Sequence, residues 1–137
     1  MPELPEVQTV VNSLQPTLPG KIIQSANCPN GYTGVFENGS LNDYNNFIVG
    51  KKLLSVYRRG KFIIIELDSG FLLIHLRMTG KVVLDKPIIK EMKYVSFQLT
   101  FADGSDLFFQ DIRKFGRIYI CNNLSWLEKR LGIEPLS

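Results

Sequence analysis

The sequence predicts a mainly β fold: a two-layer antiparallel β-sandwich with an N-terminal α-helix and short flanking helices. Three observations carry this expectation. From Leu53 onward apolar residues recur at a period of two through LLSVYR, KFIIIEL, FLLIHLR, KVVL, YVSFQLTF, DLFFQD and RIYIC. Turn-forming residues separate these runs at Arg59-Gly60, Asp68-Ser69-Gly70, Thr79-Gly80 and Ala102-Asp103-Gly104-Ser105, which is hairpin chemistry. Helical periodicity, by contrast, is confined to short segments near the two ends and around residue 45.

The elements follow in order. Leu4, Val7, Val10, Val11 and Leu14 fall on one face of a helix, with Pro5 suited to its first turn and Pro16 to its end. After Gly20, KIIQSAN reads as a strand, and CPNGYTGVFENGS reads as an irregular loop because Gly, Asn and Pro dominate it. Ser40 to Gly50 reads as a capped helix with Leu41, Tyr44, Phe47 and Ile48 on one side. The seven runs that follow predict an antiparallel meander folded over into the sandwich. Ser125 then caps a last short helix, WLEKRL, and Gly132 suits the left-handed position after a helix C-terminus. The closing LGIEPLS reads as the boundary between two domains.

Composition bounds the function. With 137 residues and 45% hydrophobic residues, one domain with one moderate core is expected, and disorder is excluded. A formal charge of +3 permits a polyanionic partner without demanding one. Cys28 and Cys121 lie far apart and His75 is the only histidine, so the ligand set for a structural zinc is missing from this chain. Two free, buried thiols in a soluble cytoplasmic protein are expected, with no membrane span, since KFIIIEL and GFLLIHL are each interrupted by charge or glycine.

The opening MPELPEV concentrates two prolines and two carboxylates where termini ordinarily fray. It has two readings. One is a plain helix start, with Pro5 in the first turn and acidic residues complementing the helix dipole. The other begins with removal of Met1, which leaves Pro2 as a secondary amine beside a helix N-terminus, whose positive end lowers the amine pKa. Such an amine attacks a sugar carbon to form an iminium, an electron sink for elimination, while Glu3 protonates a departing oxygen.

PELPEV, followed in order by RRGKF, LIHLRMTG and DIRKFG, resembles the formamidopyrimidine-DNA glycosylase family, bacterial base-excision enzymes that remove oxidised purines such as formamidopyrimidine and 8-oxoguanine. The likeness spans the chain, which would correspond to the family's N-terminal catalytic domain over residues 1–137. It implies that Pro2 attacks the sugar C1′, with Glu3 as the acid and Glu6 organising the site. It implies abasic-site lyase activity through the same proline iminium. Lys61 matches the family lysine that contacts phosphate beside the lesion and assists catalysis. His75 matches a DNA-contacting histidine and Met78 a base-stack wedge. Arg113 matches the arginine that reaches the orphaned base, and Phe115 the aromatic that fills the stack. Excision needs such a set, because the sugar carbon stays inaccessible until the nucleotide is flipped out.

Arg58, Arg59, Lys61, Arg77, Lys81, Arg113, Lys114 and Arg117 bracket these positions, which predicts a phosphate-tracking groove with salt-dependent binding. The implied partner is damaged double-stranded DNA, bound by a monomer in the bacterial cytoplasm at the nucleoid. The chain itself needs no cofactor. The resemblance implies a helix-two-turn-helix and a zinc finger in a C-terminal part that these residues do not contain. Two departures stand out. Gln8 replaces a family Glu, and EMKYV puts Met92 and Tyr94 where family histidines contact backbone phosphate, leaving Lys93 as the substitute. A non-catalytic DNA-damage binding module of the same fold, and a sandwich interaction domain unrelated to DNA, are the alternatives.

Overall fold

A computed structural model of the protein describes residues 4–131. Its elements are α1 (Leu4–Leu14), β1 (Ile23–Asn27), α2 (Leu41–Ile48), β2 (Leu53–Arg59), β3 (Phe62–Leu67), β4 (Phe71–His75), β5 (Gly80–Val83), β6 (Val95–Phe101), β7 (Asp106–Asp111), β8 (Arg117–Cys121) and α3 (Ser125–Leu131). The strands form two four-stranded sheets, ordered β1-β6-β7-β5 and β2-β3-β4-β8. Every pairing between them is antiparallel. The predicted two-layer sandwich is therefore present.

The meander is not. Consecutive hairpins link β2-β3-β4 and, separately, β6-β7; β5 leaves the first sheet to pair with β7, and β8 returns to pair with β4. The crossing is made at residues 76–79, where Arg77 takes a left-handed φ of 56° and the Gly80 N–H returns to the Leu76 carbonyl at 3.0 Å. A Cβ on Gly80 would sit 2.6 Å from that carbonyl oxygen and 2.7 Å from the Phe109 ring, so the corner requires glycine. Alternation tells each strand which face is buried but not which sheet it joins.

The main core lies between the sheets, from Ile63, Ile65, Leu72 and Ile74 on one side and Phe97, Leu99, Phe101, Leu107 and Phe109 on the other. Each such side chain contributes about 1.5–3 kcal/mol by leaving water. Helix α1 lies against β2 and buries Val7, Val11 and Leu14, as its spacing predicts. A second cluster of Phe62, Ile64, Leu73, Tyr119 and Leu127 lies on the outer face of the β2-β3-β4-β8 sheet, under α3. Strand β3 is therefore covered on both faces, which explains why it opens with four consecutive apolar residues, FIII, and not a strict alternation.

Local chemistry fixes the remaining ends. Ser40 and Asp43 form a reciprocal capping box at α2. At α3 the capping side chain is Asn123, whose Oδ1 accepts from the Ser125 N–H at 3.0 Å, while Ser125 is already helical. FLLIHLR stops at His75 and YVSFQLTF starts at Val95, because Arg77 turns left-handed and Ile89–Tyr94 form a 3-10 helix. Both cysteines are free and half-buried, and burial pushes their thiol pKa values up. Gly132 and the LGIEPLS tail beyond Leu131 lie outside the described residues.

Candidate nucleic-acid interface

Pro2 and Glu3 also lie outside the described residues. Glu6 is exposed in the first turn of α1. Two residues later Gln8 donates to the Asn12 side chain at 2.9 Å and accepts from Arg58 Nε at 3.4 Å, so the Gln that departs from the family pattern meets an arginine as a neutral acceptor. Arg58 also donates to the Gly60 carbonyl at 2.8 Å, which ties α1, the end of β2 and the Gly60-Lys61 turn together.

His75 sits at the end of β4, opposite Phe62 on one side and Arg117 on the other. Its ring meets Phe62 edge-on at 4.8 Å. Its Nδ1 accepts the Arg77 backbone N–H at 3.1 Å, which leaves the neutral ring's proton on Nε2 as a donor. Burial is the main cause that lowers its pKa to about 4, and the nearby Arg77, Arg130 and Lys61 push in the same direction. At neutral pH His75 is therefore an uncharged N–H donor surrounded by cations. That suits a phosphate oxygen. Arg77 Nε is buried with no hydrogen-bond partner among the described residues, and Arg130 of α3 lies 5.6 Å from the Phe62 ring centre.

Past the corner, Met78 is 47% exposed, and Phe115 and Ile112 are 44% and 66% exposed. Large apolar side chains left in water on two adjacent loops mark a contact surface. Arg113 and Lys114 lie between them, exposed, with Lys114 at φ 60°. The carboxylate that joins the two loops is Asp111, 1% exposed at the end of β7. It accepts the Thr79 hydroxyl at 2.5 Å, the Arg113 N–H at 3.2 Å and the Gly116 N–H at 2.6 Å. Gly116 has no room for a side chain: a Cβ would overlap the Phe109 ring and lie 2.9 Å from Asp111 Oδ2.

The cations do not all face outward as a groove. Arg59 makes a two-pronged pair with Glu128 at 2.7 and 2.8 Å, holding α3 on the sheet. Arg117 donates to the Lys114 and Gly116 carbonyls at 3.0 and 2.8 Å. Arg58 and Arg117 thus brace the turns that carry Lys61 and Arg113, and Arg59 braces α3. Behind the loops, Thr79, Lys81, Glu91, Tyr94, Gln110 and Ile112 line a cavity of about 310 Å³. Met92 and Tyr94 are half-buried, Tyr94 against this cavity, while Lys93 is exposed with its amine 5.2 Å from the Tyr94 ring centre.

Residues 1–118 match the family model of the formamidopyrimidine-DNA glycosylase N-terminal domain. The chain belongs to this family. It is 42% identical over 137 residues to the formamidopyrimidine-DNA glycosylase of Solibacter usitatus, covering 99% of this chain and 49% of that protein. It is 38% identical to that of Pelotomaculum thermopropionicum, covering 99% and 50%. Among solved structures, the complex between Lactococcus lactis Fpg and an abasic-site DNA superposes with a TM-score of 0.83 at 30% identity, over 95% of this chain and 47% of that one. The complex of the wild-type L. lactis enzyme with an N7-benzyl-Fapy-dG DNA gives 0.82 at 31% identity over the same shares. The chain spans about half the length of the relatives it matches. The family's N-terminal domain fold is thus present throughout the sandwich.

Sequence reasoning missed four members of this surface: Thr79, Asp111, Ile112 and Arg130. Asp111 opens the DIRKFG motif, yet a carboxylate among cations reads as a solvated counter-charge until its burial is known. Among the described residues no group of three or more His, Cys, Asp or Glu side chains could hold a metal ion. Nor is any described helix long and apolar enough to cross a membrane.

Proposed function

We propose that the chain carries the N-terminal catalytic domain of a bacterial, cytoplasmic, monomeric base-excision enzyme. It excises oxidised purines, formamidopyrimidine and 8-oxoguanine, from double-stranded DNA and cleaves the abasic strand. The observation that carries this reading is the wedge: exposed Met78 and Phe115 flanking Arg113 on loops fixed to a buried carboxylate, in a chain of this family. Exposed apolar side chains on rigid loops suit insertion into a base stack, where each stacked base contributes about 1–3 kcal/mol.

In the reaction, the free amine of Pro2, released by removal of Met1, attacks C1′ as the bond from C1′ to the base breaks. Glu3 delivers a proton to the opening sugar oxygen, and Glu6 organises the amine. The amine proton leaves with the base, and the nitrogen lone pair forms the iminium as the ring C–O bond opens onto the oxygen that Glu3 protonates. The iminium acidifies the C2′–H, loss of that proton expels the 3′ phosphate, and a second elimination with loss of a further carbon-bound proton expels the 5′ phosphate. Lys61 and the Nε2–H of His75 hold phosphate beside the lesion. Arg113 donates to the orphaned base, and Met78 and Phe115 occupy the space the flipped nucleotide leaves. The zinc finger that the family resemblance implies belongs to the remainder of a full-length enzyme.

The test is borohydride trapping on an abasic-site duplex, using chain whose mass confirms loss of Met1. A covalent band that disappears in Pro2→Gly is expected. Folded chain that binds lesion duplex but yields no band would leave a damage-binding module in place of an enzyme. Absence of any salt-sensitive affinity for the duplex would overturn the DNA reading altogether.

A further inference from the structure

We propose that Asp111 is a positioning residue that locks the Met78 turn and the loop carrying Arg113 and Phe115 into one rigid wedge, so that the two loops enter the duplex as a unit. The proposal deepens the DNA-binding reading above and rests on it for the ligand, but the coupling is a property of the free protein.

The geometry is specific. Asp111 ends β7 directly opposite Gly80 in the β5-β7 register, at the base of both loops. Its Oδ1 serves Thr79, next to Met78, and also the Arg113 N–H; its Oδ2 serves the Gly116 N–H, next to Phe115. The Arg113 N–H also reaches Thr79 Oγ1 at 3.3 Å, closing a bridge directly between the loops. All these partners are donors to the carboxylate, and none is a cation. A group that must accept three such bonds has to be acceptor-only; an Asn amide would turn two hydrogens toward donors.

Each loop also needs outside support. Arg77 at φ 56° and Lys114 at φ 60° hold non-glycine residues in the left-handed region, which persists only where the surroundings over-determine it. One buried carboxylate anchors both loops two residues beyond these positions, at Thr79 and at Gly116. Displacing either loop therefore breaks bonds that hold the other. Met78 and Phe115 cannot then sample independent positions, and the wedge is pre-organised before it meets DNA.

Amide hydrogen exchange on the chain, with Thr79→Val and Thr79→Ser, tests this. The Gly116 N–H does not touch Thr79, so a purely local role for the hydroxyl would leave its exchange unchanged. Coupling predicts that Thr79→Val speeds exchange at Gly116 about five-fold, the order expected for one lost hydrogen bond. Thr79→Ser restores protection, and core amides such as Ile65 stay as in the wild type. Unchanged Gly116 exchange in Thr79→Val overturns the proposal. A second readout uses a duplex with 2-aminopurine opposite a tetrahydrofuran abasic site. At saturating protein, Thr79→Val should give less than half the wild-type fluorescence change, because a loosened wedge stacks poorly; a full wild-type change would refute joint insertion. If wild-type chain leaves the fluorescence flat while the exchange coupling holds, the DNA reading falls and the clamp stands.

Discussion

Acidification from pH 7.5 to pH 4.5 should destabilise the fold through His75 in particular. Its folded-state pKa lies near 4 against 6.5 for the free side chain, so folding favours the neutral ring. The unfolded chain takes up a proton below pH 6.5 while the native ring declines it until about pH 4. Stability is thus complete above 6.5 and is lost progressively as pH falls toward 4. At about 1.4 kcal/mol per tenfold change in proton affinity, the ceiling is about 3.4 kcal/mol. The ring is only half-buried and its cationic neighbours are partly screened by water, which reduces the expected effect to about 1–2 kcal/mol. Urea melts of the wild type and of His75→Gln at the two pH values isolate it, because carboxylate titrations are common to both proteins. The wild type should lose about 1–2 kcal/mol more than the variant. Equal losses would show that burial and the cations around His75 do not hold the ring neutral, and the account of it as an uncharged phosphate donor would fail with them.

Two further outcomes separate binding from folding at the wedge. Phe115→Ala removes a side chain that the fold leaves 44% exposed, so urea midpoints should move by less than about 0.5 kcal/mol, while affinity for an abasic duplex falls by about 1–3 kcal/mol. Equal affinity in a titration would remove Phe115 from the interface. Gly116→Ala does the reverse: its Cβ would meet the Phe109 ring and Asp111, so denaturant melts should show a loss of about 1–3 kcal/mol, and a wild-type midpoint would mean the loop relaxes freely.

Much of this architecture was legible because the signals were local. Turn residues between alternating runs identified the strands, the Ser40 cap and its apolar face identified α2, and the spacing from Leu4 to Leu14 identified α1. What escaped depends on contacts distant in sequence. Strand β5 changes sheet at the corner from Leu76 to Gly80 and β8 through the loop at residues 112–116, and nothing in KVVL or RIYIC reveals which edge each will join. The same limit applied to charge. Eight cations in the motifs read as one phosphate groove, but Arg59 is paired with Glu128 and Arg117 with loop carbonyls, so part of the set supports the loops in place of facing a ligand. Arg130 joins the His75 cluster only because α3 folds back over β3, Phe62 standing between them.

The places where local rules fail are themselves informative. Away from the corner and the DIRKFG loop, every described residue at positive φ is a glycine, and most large apolar side chains are buried. At those two loops, Arg77 and Lys114 take left-handed backbone, Met78, Ile112 and Phe115 stand in water, and Asp111 is buried without a cation. Each departure opposes folding when taken singly, and stability alone would replace them with Gly, polar side chains and an apolar residue. Their concentration within two loops bound to one carboxylate means that the strain is local and shared, supported by the sandwich beneath it. A surface built that way gives up stability to hold its contact residues still. That is what insertion into a stacked duplex requires, since a wedge that had to be ordered on binding would lose in conformational entropy what it gains in stacking.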